Sequence, residues 1–206
     1  MSDEPPALFN IDEPPSPPIT APEDERPPAK RLSDWLTNLV RGNQNGTLAD
    51  LRRPNARTVP GMIAASFAGP DATRDQRDVY RQVAFLFAIY HRGSTRDKAM
   101  PGIGTMGAAC ARIGTAAGRG RNNEGAVRIM HRLLASSRRI PWRHLQHAVE
   151  RFRSCDAAAP NWQRLADDLT AWLSAPDPIA DQWGADFFTP TYTSNKAKTT
   201  KSGAAK

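Results

Sequence analysis

The side chains best suited to chemistry in this sequence are arginines, and they occur in clusters. Guanidinium groups are planar and donate paired hydrogen bonds, so they bind phosphate oxygens and stack on nucleobases. We therefore predict nucleic-acid contacts from nine arginines: Arg52, Arg53, Arg119, Arg121, Arg128, Arg132, Arg138, Arg139 and Arg143.

The segment from 112 to 143 carries most of these arginines. It contains eight arginines and one acid, Glu124. Arg128 and Arg132 are one helical turn apart, and like charges at that spacing repel each other unless an anion lies between them. The Gly-Arg-Gly-Arg-Asn segment precedes this helix, whose first N–H groups also favour phosphate. The pattern predicts a groove that follows a nucleic-acid backbone, and a scatter of solvated surface arginines is the alternative.

A glycine pattern similar to a dinucleotide-binding fingerprint lies upstream. Gly102, Gly104 and Gly107 have the required spacing, and Glu124 follows about twenty residues later. That fingerprint needs a buried strand directly before its first glycine. The residues at 95–101 are mainly polar and end in proline. We therefore interpret the glycines as a mobile loop and a close contact between helices.

Two pairs of polar side chains also lack the context of a reactive site. His144 and His147 have a spacing that can chelate a metal, but only Glu150 stands near as a third ligand, so a solvated helix face is favoured. Asp167 and Asp168 are adjacent, so on a helix their side chains point about 100° apart. The sequence has no Walker lysine, HExxH motif or nucleophile elbow. No catalytic residue, metal site or cofactor is predicted.

Charge divides the chain into three parts. The formal net charge is +7, but residues 1–30 carry −5 and nine of the 18 prolines. Residues 191–206 carry +4, which leaves +8 for residues 31–190, where 21 of 22 basic side chains are arginine. An arginine bias favours nucleic-acid binding, although a high-GC genome would also produce it. We predict a disordered acidic tail at 1–30, a folded body at 31–190 and a flexible basic tail at 191–206.

Other features exclude several classes of protein. No apolar run approaches the roughly 18 residues that span a bilayer. The N-terminus is acidic and proline-rich, unlike a secretory signal. Cys110 and Cys155 lie 45 residues apart, which excludes a disulfide framework and a CxxC zinc site and fits a reducing cytosol. We predict a cytoplasmic protein with no membrane partner and no small-molecule substrate.

Helices must position the arginines, because the apolar spacing is helical almost throughout the body. The strongest pattern begins at Thr73, a capping residue with Gln76 three positions on. Ser33, Asn161 and the Thr47–Asp50 segment are further predicted helix starts. No segment alternates with period two over five residues, and there is no hairpin signal. The predicted fold is all-α, with eight or nine helices forming one body or two packed halves.

A series of segments lies in a fixed order over about 33–190: an N-terminal Trp and Leu helix, Leu51-Arg52-Arg53, Pro60 to Phe67, Val79 to Gly93, Arg128 to Leu134, Trp162 through Trp172, and Trp183 with Phe187-Phe188. In the order and spacing of these segments the chain resembles the small subunit of the type I-E CRISPR Cascade surveillance complex, the CasB family. The chain departs from the family pattern at Asn161, where Asp is common, and at Ile129, where a second arginine is usual. The proline-rich N-terminal extension is a third departure.

This resemblance implies a non-catalytic helical subunit, present in two copies, that contacts the subunits holding the guide RNA. It also implies that basic residues line the path of the target and displaced DNA strands and stabilise the R-loop in antiviral defence. The expected partners are other Cascade subunits, guide RNA, target DNA and a second copy of the chain.

Two other functions stay open on the residues alone. A free-standing helix-turn-helix regulator would bind duplex DNA with sequence selectivity. A protein-only helical adaptor would present its arginines to acidic partners, and its complexes would resist nuclease.

Overall fold

The computed structural model describes residues 26–53, 58–94, 99, 101–115, 118–135 and 139–189. The basic tail predicted at 191–206 lies outside these residues. So do the first 25 residues of the acidic tail predicted at 1–30.

Helices make up most of the described chain, which confirms the all-α prediction. Counting only the described residues, the nine α-helices are α1 (Pro28–Arg41), α2 (Asn45–Leu51), α3 (Val59–Ser66), α4 (Arg74–Tyr90), α5 (Met106–Cys110), α6 (Glu124–Leu134), α7 (Trp142–Ser154), α8 (Trp162–Trp172) and α9 (Pro176–Phe188). Their buried apolar side chains form one continuous cluster.

Two of the predicted helix starts are wrong. Helix α1 begins at Pro28, and Ser33 lies inside it as a buried residue. Helix α2 begins at Asn45 without a side-chain cap, so Thr47–Asp50 is internal. Proline suits a first helical turn because the N–H it lacks would have no partner there. The helical body therefore starts three residues before the predicted boundary at 31.

Helix α4 is the centre of the fold, and its start is as predicted. The Thr73 hydroxyl accepts a hydrogen bond from the Gln76 N–H at 3.2 Å, and the Gln76 side chain accepts one from the Thr73 N–H at 2.8 Å. Helices α1, α2, α3, α7 and α8 all pack against α4. Residues 83–88 are all buried, so other helices surround the second half of α4.

Tryptophans hold the C-terminal helices together. The rings of Trp172 on α8 and Trp183 on α9 have centroids 5.2 Å apart. The Trp183 Nε1–H donates to a carboxylate oxygen of Asp168 at 2.8 Å. Burial raises the pKa of Asp168, against the opposing effect of this hydrogen bond. Because Asp168 is buried here while Asp167 is exposed, the two adjacent acids do not form a shared site.

Close backbone contacts explain the glycine pattern. A Cβ at Gly107 on α5 would lie 1.9 Å from the carbonyl oxygen of Trp183, so only glycine lets α5 and α9 approach this closely. A Cβ at Gly102 would lie 1.8 Å from the carbonyl oxygen of Pro160. No strand precedes Gly102 among the residues that the structure describes. The predicted close contact between helices is confirmed at Gly107, whereas Gly102 contacts the segment before α8 and the mobile loop stays a prediction.

One short hairpin was not expected. Strands β1 (Gly114–Thr115) and β2 (Gly118–Arg119) pair antiparallel, and a 3-10 helix (Gly120–Asn122) follows. Gly114 has φ 116° and Gly120 has φ 53°, conformations that glycine adopts without strain. The prediction of no hairpin is therefore wrong, because strands of two residues are too short for an alternation of apolar side chains to mark them.

A buried histidine closes the end of α4. His91 is 2% exposed, and its ring stacks on Phe87 at a centroid distance of 4.0 Å. Its Nδ1–H donates to the Phe87 carbonyl oxygen at 3.1 Å. Burial lowers the pKa of His91 to about 4, and the hydrogen bond only partly opposes this effect.

We expect His91 to make the fold acid-sensitive. The unfolded chain binds a proton at this histidine below about pH 6.5, whereas the folded chain does so only near pH 4. The free energy of unfolding therefore decreases as the pH is lowered from about 6.5 to about 4. Between pH 7.5 and pH 5 the loss should be about 2 kcal/mol in the free energy of unfolding. Urea titrations at both pH values should show that His91→Phe removes this difference, whereas His147→Phe on the exposed face of α7 retains it. Equal pH dependence in the native chain and His91→Phe would contradict the argument.

Candidate nucleic-acid interface

Arg52 is a predicted arginine that lies against the core of the fold. It directly follows the last residue of α2 and is half-buried. Its Nη1 lies 3.5 Å from the carbonyl oxygen of Ala88, in the last turn of α4. The packing of α2 on α4 therefore directs this guanidinium toward the C-terminal end of α4.

Two further arginines, which the sequence analysis did not predict, lie with Arg52 near the C-terminal end of α4. Arg92 lies two residues beyond the end of α4, and Arg153 lies in the last turn of α7. The Arg153 Nη2 donates to the carbonyl oxygen of Arg92 at 3.0 Å. We call Arg52, Arg92 and Arg153 the Arg52 cluster.

Helix C-termini make this concentration of positive charge possible. The three arginines stand at the C-terminal ends of α2, α4 and α7, where exposed carbonyl groups and the helix dipole favour cations. Two of the guanidinium groups contact main-chain carbonyl oxygens of the α4 end. Within the described chain, no carboxylate forms an ion pair with any of the three. The cluster therefore keeps its full positive charge for a ligand.

The electrostatics of Arg52 show how close the charges are. Its pKa is lowered, first by burial and then by the charges of Arg92 and Arg153. An anion placed among the three groups would relieve both effects, because it would screen the repulsion and satisfy the remaining N–H donors.

A cavity of about 490 Å³ opens beside the Arg52 cluster. Phe85 and Ile89 of α4 give it an apolar wall, and Gln146 and Glu150 of α7 give it a polar one. The Glu150 carboxylate accepts a hydrogen bond from the Gln146 side chain at 2.9 Å. The cavity thus combines three cations, one carboxylate and an apolar wall, which suits a phosphate group that carries an organic substituent.

Arg53 points to a different cleft, although it is adjacent to Arg52 in sequence. It is exposed, and its Nη1 lies 3.7 Å from the Asp50 carboxylate. Together with Arg81 it lines a narrow cleft beside Gly61 of α3. The two neighbouring arginines therefore line different clefts, and Phe85 lines both clefts.

The arginines from 119 to 132 lie on and before α6. Arg119 on β2 and Arg121 in the 3-10 helix are exposed, as are Arg128 and Arg132 on α6. These elements pack against one another and against α5, α7 and α9, whereas α2 packs against α1, α3 and α4. These four arginines therefore stand on elements other than those of the Arg52 cluster, and α7, which carries Arg153, packs against both α4 and α6.

The N-terminus of α6 already has acceptors from the chain itself. The Asn123 side chain accepts from the Ala126 N–H at 3.0 Å, and Glu124 occupies the first turn. The Arg128 Nη2 is 2.9 Å from the Glu124 carboxylate, so this acid reduces the repulsion between Arg128 and Arg132. One N–H group of this helix start, that of Ala126, is therefore already bonded, and phosphate binding by the others stays a prediction.

The structure describes two of the last three predicted arginines, Arg139 and Arg143. Arg138 lies outside the described residues. Arg139 lines a cavity of about 430 Å³ with two acids, Asp75 and Asp78, and with Trp142 and Trp172. Arg143 is exposed in the first turn of α7.

Neither a metal cluster nor a membrane span is found in the described part of the chain. No group of three or more His, Cys, Asp or Glu side chains there could hold a metal ion. None of the described helices is both long enough and apolar enough to cross a bilayer.

Most of the helical chain, including the predicted arginines, matches a known protein family. The profile of CRISPR-associated protein Cse2 matches residues 47–188, from within α2 to the last residue of α9. The chain belongs to the Cse2 family. This membership confirms the resemblance to CasB and identifies the chain as a subunit of the CRISPR Cascade complex. The match includes all nine predicted arginines and the Arg52 cluster, whereas α1 and the residues before it lie outside.

A solved structure supports the same fold. The structure described as "Crystal structure of CasB from Thermobifida fusca" superposes with a TM-score of 0.61 at 20% sequence identity. The alignment covers 77% of this chain and 94% of that chain. At this identity the likeness shows a common Cse2 fold. No protein with a curated description matches the chain.

The capped start of α6 can be tested by stability measurements. Asn123→Ala removes the acceptor for the Ala126 N–H, which should lower the free energy of unfolding by about 1 kcal/mol. Asn122→Ala is the matched control, because Asn122 is the exposed neighbour and does not cap the helix. Urea denaturation followed by circular dichroism should separate the two variants. Equal stabilities would show that Asn123 does not cap α6.

Proposed function

We propose that the chain is the non-catalytic small subunit of a type I-E Cascade complex and binds the phosphate backbone of nucleic acid. Its ligands are the target and displaced DNA strands of the R-loop. Its protein partners are the subunits that hold the guide RNA and a second copy of the chain, in a cytoplasmic antiviral complex. The observation that carries the proposal is the Arg52 cluster with its adjoining cavity.

The Arg52 cluster suits phosphates better than acidic side chains of a protein. Three guanidinium groups around a cavity of about 490 Å³ present many N–H donors to the several oxygens of a phosphodiester. Each neutralised phosphate also releases condensed counterions, which favours binding at low salt. The apolar wall of Phe85 and Ile89 supports the proposal, because a sugar or base attached to the phosphate has apolar surface to bury.

Binding at the Arg52 cluster need not read bases. Contacts to phosphate position a protein on nucleic acid but carry no sequence information directly. In an RNA-guided complex, pairing with the guide RNA supplies the specificity. Arg119, Arg121 and Arg132, the exposed arginines around α6 other than the Glu124-paired Arg128, extend this proposal to a second strand or a second stretch of the same strand.

We expect the loss of two cluster arginines to weaken binding to single-stranded DNA of any sequence. In Arg52→Gln with Arg153→Gln, affinity should fall by about tenfold per arginine, because each charge-assisted hydrogen bond contributes roughly 1.5 kcal/mol. The slope of log affinity against log salt should become shallower by roughly 0.7 per lost contact. Fluorescence anisotropy with labelled oligonucleotides across a salt series measures both quantities.

A matched double variant controls for net charge. Arg53→Gln with Arg128→Gln removes the same charge, but both arginines already face a carboxylate on their own helix, Asp50 and Glu124. Its loss of affinity should therefore be much smaller. Equal losses in the two double variants would overturn the assignment of the site to the Arg52 cluster.

The same variants test the function inside the complex. Co-expressed with the other Cascade subunits and a guide RNA, the chain should co-purify with them, and the cluster variant should retain less target DNA. Co-purification that survives nuclease together with unaltered DNA retention would favour the protein-only adaptor instead. Selective binding of the free chain to one duplex sequence would favour the helix-turn-helix regulator.

A further inference from the structure

Helix α3 presents an apolar face that no described part of the chain covers. Val59 is 70% exposed, Met62 64% and Ile63 41%, while the opposite side of the helix is buried against α4 and α2. Among the described residues, six large hydrophobic side chains are this exposed, and three of them lie on this one short helix. We call Val59, Met62 and Ile63 the α3 face. A clustered apolar face of this kind marks a binding surface.

Two arginines lie beside the α3 face. Arg53 and Arg81 line the cleft between α3, the end of α2 and α4. Arg81 pairs with Asp78, whereas Arg53 is 69% exposed and stands 3.7 Å from the Asp50 carboxylate, longer than a direct hydrogen bond. A peptide that combines large apolar side chains with acids would match both parts of this surface.

The first 25 residues of the chain contain one segment with this composition. Leu8, Phe9 and Ile11 place three large apolar side chains within four positions, and Asp12 and Glu13 follow directly. Elsewhere in these 25 residues, large apolar side chains occur only singly. We call residues 8–13 the anchor segment.

The anchor segment is long enough to reach the α3 face. Fourteen residues separate Ile11 from Arg26, which pairs with Asp34 of α1 at 3.2 Å. A connection of that length spans up to about 50 Å. Helices α1 and α3 both pack on α4, and one helix is only about 10 Å across. The short tether also gives an effective concentration of roughly millimolar order, so even a weak site would be occupied.

We propose that the anchor segment docks on the α3 face of its own chain, with Leu8, Phe9 and Ile11 on the apolar side chains and Asp12 and Glu13 toward Arg53. Docking places negative charge beside the end of α2, from which Arg52 also projects. The N-terminal segment thereby competes with nucleic acid for the basic surface. This last step rests on the proposed function, whereas the docking itself does not.

Photo-crosslinking of the full chain tests the docking. Replacing Ser66 by p-benzoylphenylalanine puts a photoreactive group on α3 while leaving the α3 face intact. Ser174 provides a matched control, because both serines are exposed and each donates its hydroxyl to the carbonyl three residues earlier. We expect cross-links to residues 8–13 from position 66 and none from position 174. An equimolar mixture of ordinary and ¹⁵N-labelled chains distinguishes cross-links within one chain from those between two.

Other occupants of the α3 face would give different cross-linked products. Cross-links only between labelled and unlabelled chains would show that the α3 face is an interface between copies and would overturn the proposal. The absence of any cross-link to residues 8–13 would overturn it as well. Phe9→Ser should abolish the product, whereas Ala7→Ser, the same polar side chain placed outside the anchor segment, should retain it.

DNA binding separates this proposal from the proposed function. Relief of competition predicts that Phe9→Ser binds single-stranded DNA several-fold more tightly than Ala7→Ser at low salt. If the cross-link forms but neither variant binds DNA, the docking stands and the proposed function fails. If both bind DNA equally, the competition step is overturned.

Discussion

The enclosure of α4 by other helices is the constraint on which the rest of the structure depends. The second half of α4 is buried all round at residues 83–88, and α4 ends at Tyr90, just before the buried ring of His91. Because α2 and α7 also pack on α4, their own ends are brought to the same place. The position of the Arg52 cluster is therefore a consequence of core packing and needs no dedicated loop.

This arrangement also shows how a small helical protein can concentrate positive charge. Three guanidinium groups without acidic partners repel one another, and burial of Arg52 adds a further cost. The ends of three helices offset part of that cost through carbonyl groups and dipoles. Around α6 the repulsion between neighbouring arginines is reduced by an acid, because Glu124 pairs with Arg128 on the same helix. One surface stays charged for a ligand, and the other is partly neutralised from within.

Local signals in the sequence predicted the helices well, but they did not predict the site. Capping by Thr73 and Asn161 is confirmed, because each cap depends on residues within three positions. Ser33 failed as a cap because proline at 28 starts α1 earlier. Of the Arg52 cluster only Arg52 was predicted, because Arg92 and Arg153 lie outside the predicted arginine clusters and only the packing of α4 and α7 reveals them. Conversely, Arg52 and Arg53 are adjacent yet face different clefts, which no spacing rule indicates.

The three helix ends of the Arg52 cluster come from widely separated parts of the chain, since Arg52 and Arg153 are about a hundred residues apart. An unfolded chain therefore has no such site, and any anion held there binds the folded form alone. Binding free energy then adds to folding free energy. Nucleic acid bound in an assembled complex would raise the free energy of unfolding of the subunit, and release of the strand would lower it again to the value of the free subunit.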